Sequence, residues 1–185
     1  MESKLFIGFK IPRKIIEIIT MIRSTLNNDQ KFYNWVSGNN LHLTLLFLGN
    51  HGVDQIDNLS EKIDSTMNEF GDFIISINGT GSFGNKNQIL WLGVDKGQDQ
   101  LQRINYELQI QLENYLDNQI KSKFAPHITI GRKKKTEISN NIDVKNFMNS
   151  VYFPMEFHVK YFTLFESIAI DRGVRYAKIT NFPLQ

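Results

Sequence analysis

The run from Lys4 to Lys10 gathers Leu5, Phe6, Ile7 and Phe9 into a short apolar stretch, the pattern of a strand. Pro12 then stands where a helix can begin, and Ile15, Ile18, Ile19, Ile22 and Leu26 recur at helical spacing as one apolar stripe. Leu41 to Leu48 is too short for a helix and is bounded by Gly49, so it predicts a second strand. Ile56, Leu59, Ile63 and Phe70 mark a second amphipathic helix. Phe73 to Ile77 and Ile89 to Val94 form the two strands of a hairpin, with a long loop between them that carries Gly79, Gly81, Gly84, Asn85 and Asn87. A third helix is expected from Asp99 to Leu116, with Asp99 as its N-cap and Leu101, Ile104, Leu108, Leu112 and Tyr115 along one side. Beyond it, Pro126 opens a short strand, Val144 to Met148 make a helical turn, and Phe157 to Phe165 and Tyr176 to Phe182 supply the last strands.

No low-complexity tract or linker interrupts this order, and 185 residues suit one compact domain, residues 1–185, built as two small lobes. The formal net charge of +2 is too small for a general nucleic-acid coat, so affinity for a polyanion has to come from local clustering. Cysteine is absent, which removes disulfides, thiolate nucleophiles and Cys-based zinc sites and fits a reducing compartment. Lys10, Pro12, Arg13 and Lys14 break the opening apolar run before it reaches the length of a signal peptide or a bilayer span. A cytoplasmic protein without a membrane segment is therefore expected.

One pattern occurs twice. His42-Leu43-Thr44 and His127-Ile128-Thr129 are each a His-x-Thr unit inside a short apolar strand, and they lie nearly half the chain apart. In a strand, successive side chains point to opposite faces, so His42 and Thr44 share one face while Leu41, Leu43 and Leu45 share the other. His127 and Thr129 are placed in the same way, with Ile128 and Ile130 behind them. The chance that two of four histidines carry Thr at the second following position is roughly 1 to 2 percent, low enough to favour a functional pair over two unrelated strand residues. His51, in a turn after Gly49-Asn50, and His158, on a polar strand face with Glu156 and Lys160, are expected to be structural.

Two imidazoles on either side of one phosphorus suit phosphodiester hydrolysis. A neutral ring takes a proton from the attacking water while a protonated ring opposite gives one to the leaving ribose oxygen. The hydroxyls of Thr44 and Thr129 can hold the non-bridging oxygens as charge builds on them. A metal site is the rival arrangement, but neither His has a second His or a carboxylate at ligand spacing, so no metal and no other cofactor is expected.

These residues carry a likeness. His42-Leu43-Thr44-Leu45-Leu46-Phe47-Leu48-Gly49 and Phe124-Ala125-Pro126-His127-Ile128-Thr129-Ile130-Gly131-Arg132 resemble the paired signatures of the two-histidine (2H) phosphoesterases, and within them the RNA 2′,3′-cyclic phosphodiesterases, also named for 2′-5′ RNA ligase activity. Leu5-Phe6-Ile7, Ile89 to Val94, Glu166-Ser167, Gly173 and Tyr176 extend the likeness over nearly the whole chain. The resemblance implies an α+β, bilobal fold of two pseudo-symmetric lobes, with two antiparallel sheets around a central cleft and helices outside. It also implies metal-free hydrolysis of a 2′,3′-cyclic phosphate to a 2′-phosphate, with His42 as proton donor, His127 as acceptor, and Thr44, Thr129 and Arg132 on the phosphate. Two departures stand out: Asn39-Asn40 replaces a frequent acidic residue, and Lys123 a frequent arginine.

Lys121, Lys123, Arg132, Lys133, Lys134 and Lys135 bracket His127 in a stretch without Asp or Glu, and would attract an RNA strand in a salt-dependent way. Among Phe32, Tyr33, Trp35, Phe83 and Trp91 a base-stacking platform is sought; Trp91 is assigned to packing, and Tyr33, Trp35 and Phe83 stay open. The expected partner is RNA with a 2′,3′-cyclic phosphate end, tRNA-derived ends included, bound by a monomer. The alternatives are 2′-5′ RNA ligation, the same chemistry reversed, and a nucleotide- or RNA-binding module of slow turnover.

Overall fold

The structure is a computed structural model that describes residues 2–84, 87–116, 124–135, 144–150, 153–171 and 173–185. Among the described residues, nine strands paired antiparallel in one sheet and four α-helices make an α+β fold. The strands are β1 (Glu2–Lys10), β2 (Tyr33–Trp35), β3 (His42–Gly52), β4 (Phe73–Phe83), β5 (Ile89–Val94), β6 (His127–Lys133), β7 (Met155–Val159), β8 (Tyr161–Ile170) and β9 (Gly173–Pro183). The helices are α1 (Arg13–Ser24), α2 (Ile56–Met67), α3 (Gln98–Gln111) and the single turn α4 (Lys145–Met148).

The strand order β7-β4-β5-β6-β3-β1-β8-β9 falls into two groups of four, with a His-x-Thr strand innermost in each. The groups meet where β3 pairs with β6 at a single register position, Leu43 opposite Ile128, both fully buried. Short β2 adds to the free part of β6 through Tyr33–Lys133, Asn34–Arg132 and Trp35–Gly131.

Helix α1 turns Ile15, Ile19 and Ile22 into the core, while Ile18 is only partly covered. Helices α2 and α3 pack on one another, α2 also against β9 and α3 against β3. The α3 contact includes a hydrogen bond of 2.8 Å from the Asn105 amide to the Leu45 carbonyl. Leu101, Ile104, Leu108 and Leu112 are fully buried, as their spacing predicts.

Four local expectations change. The helix expected over Asp99–Leu116 starts at Gln98 behind Gly97, which sits at φ 82° in the left-handed region; Asp99 falls in the first turn instead of capping it. The same helix stops at Gln111, and a 3₁₀ turn, Glu113–Tyr115, follows. The long glycine-rich loop is mostly strand: β4 runs on to Phe83 through a register shift between Ile77 and Thr80, where Gly79 has φ 79°. The single strand expected from Phe157 to Phe165 is two, broken at Lys160.

Candidate active site

The β3–β6 junction dictates which side chains meet. Leu43 and Ile128 point into the core, so the residues that flank them point the other way. Continuing the antiparallel register by one residue in each direction sets His42 across from Thr129 and Thr44 across from His127. Both His-x-Thr units thus contribute to one face, and His42 and His127 lie on a diagonal of the ladder. The diagonal of such a ladder spans about 7–8 Å, which leaves room for a phosphoryl group between two rings.

Each imidazole is fixed in the same way. His42 Nδ1 lies 2.6 Å from the Asn40 carbonyl oxygen, and His127 Nδ1 lies 2.7 Å from that of Ala125. A carbonyl only accepts, so Nδ1 carries the proton and donates in both rings. Nε2 is then the nitrogen available for chemistry, a base when the ring is neutral and an acid when it is protonated. Asn40 is itself anchored, because its side-chain amide donates to the Val174 carbonyl of β9 at 2.6 Å.

Arg132 reaches the site by a fault in the ladder. Strict alternation from His127 would put residue 132 on the core side with Ile128 and Ile130. Between Thr129–Trp91 and Gly131–Leu90, however, β6 has one residue more than β5, and this bulge buries both Ile130 and Gly131. Beyond it Arg132 pairs with Ile89 on the face of Trp91 and Thr129. Its charge is felt by His42, His127 and Tyr176 alike. Gly131 is required at the bulge, since a Cβ would press against the Trp35 indole at 2.9 Å.

Aromatic rings wall each histidine. Tyr176 meets His42 edge-on at 4.7 Å between centroids and Phe6 lies 5.0 Å away, while Phe83 meets His127 edge-on at 4.9 Å and Trp91 lies 6.5 Å away. Glycines keep the neighbouring positions open. Gly8 is paired with Thr44, and a Cβ there would collide with the Leu43 carbonyl; Gly93 is paired with His127. Lys10 is the cross-strand partner of His42.

This enclosure lowers the pKa of both imidazoles from the ordinary histidine value. Burial is the chief cause for His42, followed by the charges of Arg132, His127 and Lys10, against which the Asn40 hydrogen bond works. His127 is depressed by burial first and by Arg132 next, with the Ala125 hydrogen bond opposing. Tyr176 is pushed up by burial, and Arg132 pulls against that.

All five residues singled out from the sequence, His42, Thr44, His127, Thr129 and Arg132, therefore face one region. Lys10, Asn40, Phe6 and Tyr176 join them without having been assigned a role; two-residue periodicity along β1, from Phe6 through Gly8 to Lys10, is the signal for two of them. Tyr33 and Trp35 are not a platform. Tyr33 is buried and donates its hydroxyl hydrogen bond to the Asn87 carbonyl at 3.0 Å, and Trp35 lies under the Arg23 guanidinium with its indole N–H on the Gln30 carbonyl. Trp91 does pack, with its ring over Gly81, yet it also borders His127 beside Phe83. Of the basic run, Lys121 and Lys123 lie outside the described residues, and Lys133, paired with Tyr33 one position beyond Arg132, falls on the face opposite to that of Arg132. His51 is buried against the Leu48 carbonyl, and His158 lies 3.2 Å from Asp72. Among the described residues no three His, Asp or Glu side chains converge as metal ligands, and no helix is long and apolar enough to cross a membrane.

The profile of the 2'-5' RNA ligase superfamily matches residues 11–169. A Thermotoga maritima protein named RNA 2',3'-cyclic phosphodiesterase is 37% identical over 102 residues, a stretch that spans about half of each chain (54% of both). A protein of the same name from Archaeoglobus fulgidus is 29% identical over 175 residues, 90% of this chain and 96% of its own length. Among solved structures, Escherichia coli LigT complexed with 3'-AMP superposes with a TM-score of 0.79 at 23% identity, over 100% of this chain and 99% of that one, which establishes the likeness of fold.

Proposed function

The chain belongs to the 2'-5' RNA ligase superfamily, and from that premise we propose that it hydrolyses RNA 2′,3′-cyclic phosphate ends to 2′-phosphates, with His42 and His127 as the general acid/base pair. The observation that carries this reading is the matched anchoring of the two rings. Each Nδ1–H is spent on the carbonyl two residues upstream, so each ring offers Nε2 from opposite sides of one junction.

The reaction balances without a covalent intermediate. His127 in its neutral form takes a proton from water as the water oxygen bonds to phosphorus. His42, protonated, gives its Nε2 proton to O3′ as the P–O3′ bond breaks and its electron pair stays on that oxygen. Thr44, Thr129 and the fork of Arg132 hold the non-bridging oxygens. In the free protein burial first, and then the charges of Arg132, His127 and Lys10, disfavour a protonated His42; the charge of a bound phosphate offsets those of the cations and favours the acid form.

The two four-stranded groups correspond to two pseudo-symmetric lobes whose shared face is the cleft. One chain holds the whole constellation, so a monomer suffices, and the lack of cysteine suits a cytoplasmic enzyme. The RNA 2',3'-cyclic phosphodiesterase names of the relatives support the substrate, and ends left by tRNA cleavage are one source of it. Incubation with a short RNA ending in 2′,3′-cyclic phosphate, with chelator present, tests the reading. Quantitative formation of a 2′-phosphate supports it. A 3′-phosphate, joining of strands through a 2′-5′ bond in place of hydrolysis, or activity that requires added metal would each contradict it.

A further inference from the structure

A cavity of about 590 Å³ is lined by Lys10 of β1 and Ile11 after it, Arg13, Ile16 and Glu17 from α1, and Gly38-Asn39 from the turn that leads into β3, next to the space in front of the histidines. Lys10 ties the two spaces together, because it is the cross-strand partner of His42 and its charge acts on that ring. Directly paired strand residues have Cα atoms about 4.5–5.5 Å apart, so an anion held at Lys10 lies within one nucleotide of a phosphate held at His42.

The lining has a definite chemistry. Lys10 and Arg13 are two exposed cations, with no ion-pair partner among the described residues. The Asn39 side chain adds an amide, and Ile16 gives an apolar wall against which Gly38 lies, close enough that a Cβ would sit 3.2 Å from an Ile16 methyl. Glu17 is one helical turn from Arg13 and opposes an anion at that end. Two cations, an amide and an aliphatic surface match a sugar–phosphate unit, whose charge needs the cations and whose ribose carbons need the apolar wall.

We propose that this cavity is a subsite for the phosphodiester one nucleotide upstream of the reacting end, so that the protein selects an RNA strand over a cyclic mononucleotide. The inference rests on the RNA-end reading above for the identity of the occupant. It makes Lys10 and Arg13 strand-binding residues, outside the acid/base pair, and Glu17 a counterweight that limits grip.

Two products separate the subsite from the catalysis: a dinucleotide ending in a 2′-phosphate and a nucleoside 2′-phosphate, which differ by the upstream unit. Equilibrium binding of both to the full-length protein, wild type and variants, needs no turnover. The dinucleotide should bind at least about tenfold tighter, through one further charge-assisted contact. Arg13→Ala should reduce that ratio about fivefold or more, and Glu17→Gln should raise it, opposite signs that a general loss of folding cannot produce. Equal affinities, or a ratio that neither variant moves, would overturn the subsite even if cyclic phosphates are hydrolysed. Absence of hydrolysis with the ratio intact would instead overturn the catalytic reading and leave a strand-binding cavity.

Discussion

His42 and His127 each precede by one residue their member of the Leu43–Ile128 pair, the register position at which β3 joins β6. An antiparallel pair has a local two-fold relation, so the two imidazoles approach the same space from opposite strands with equivalent partners. Replacing either ring by Ala should lower single-turnover hydrolysis by roughly 10² to 10⁴, the usual contribution of a positioned acid or base. The fold should persist, because both side chains lie outside the core. Near-normal turnover in either variant, with an unchanged melting profile, would remove that histidine from its role.

Arg132 acts on both histidines, and its two contributions are separable. Arg132→Gln removes a positive charge that depresses His42 and His127, so the titration of both imidazoles, followed by NMR, should move to higher pH. Substrate KM should rise at the same time. Arg132→Lys retains the charge but not the planar fork, and should keep the low titration points while recovering little affinity. Titration points unmoved by the Gln variant would place Arg132 outside the field of the site.

Asn40 should behave as a positioning residue. Its carbonyl holds His42 Nδ1 and its amide donates to the Val174 carbonyl, so it links the catalytic ring to β9. Asn40→Asp replaces that donor with an oxygen facing an oxygen and should lower kcat about tenfold or more with a smaller change in KM; Asn40→Ala should fall between. If kcat/KM of both variants matched the wild type over the whole pH range, the tether to β9 would have no part in placing His42.

The lowered pKa values carry a stability consequence with a fixed sign. The unfolded histidines bind protons from about pH 6.5 downward, whereas the folded ones resist until lower pH, so in that interval the unfolded state holds more protons. Stability is at its full value above about pH 6.5 and falls as the pH is lowered through the folded-state values. The melting temperature of the wild type should drop between pH 7 and 5, and a His42→Gln, His127→Gln double variant should drop less. Equal drops would show that the two rings titrate as they do in the unfolded chain.

The parts legible in the sequence are those with a clean period. Leu43 and Ile128 alternate with their histidines, and that alone put four site residues on the faces they occupy; α1 and α3 followed from their apolar stripes. Other features depended on contacts between distant segments. Alternation places Arg132 on the core side, and only the extra residue in β6 opposite β5 returns it to the site. The glycines after Ile77 suggested a loop because nothing local shows that Gly81 has to leave room for the Trp91 ring, or that Gly79 absorbs a shift in register. Gly97 displaced Asp99 from the start of α3 because the chain enters that helix through a left-handed turn, against the Ile74 carbonyl, where a Cβ would be too close. Lys10 gained its meaning from the strand it pairs with, which its own neighbours do not reveal.

The acid/base pair of two partly buried histidines is tested most directly by the pH dependence of the chemical step on an RNA ending in 2′,3′-cyclic phosphate, measured under single turnover. The expected result is a bell whose limbs belong to the coupled pair, with the bell for kcat/KM displaced to lower pH than that for kcat, because burial and neighbouring charge depress both rings in the free site and the charge of a bound phosphate opposes that depression. His127→Ala should lose the acid limb of its residual activity and His42→Ala the alkaline limb. A rate that stays flat from about pH 5 to 9 while the protein remains folded would contradict the pair outright.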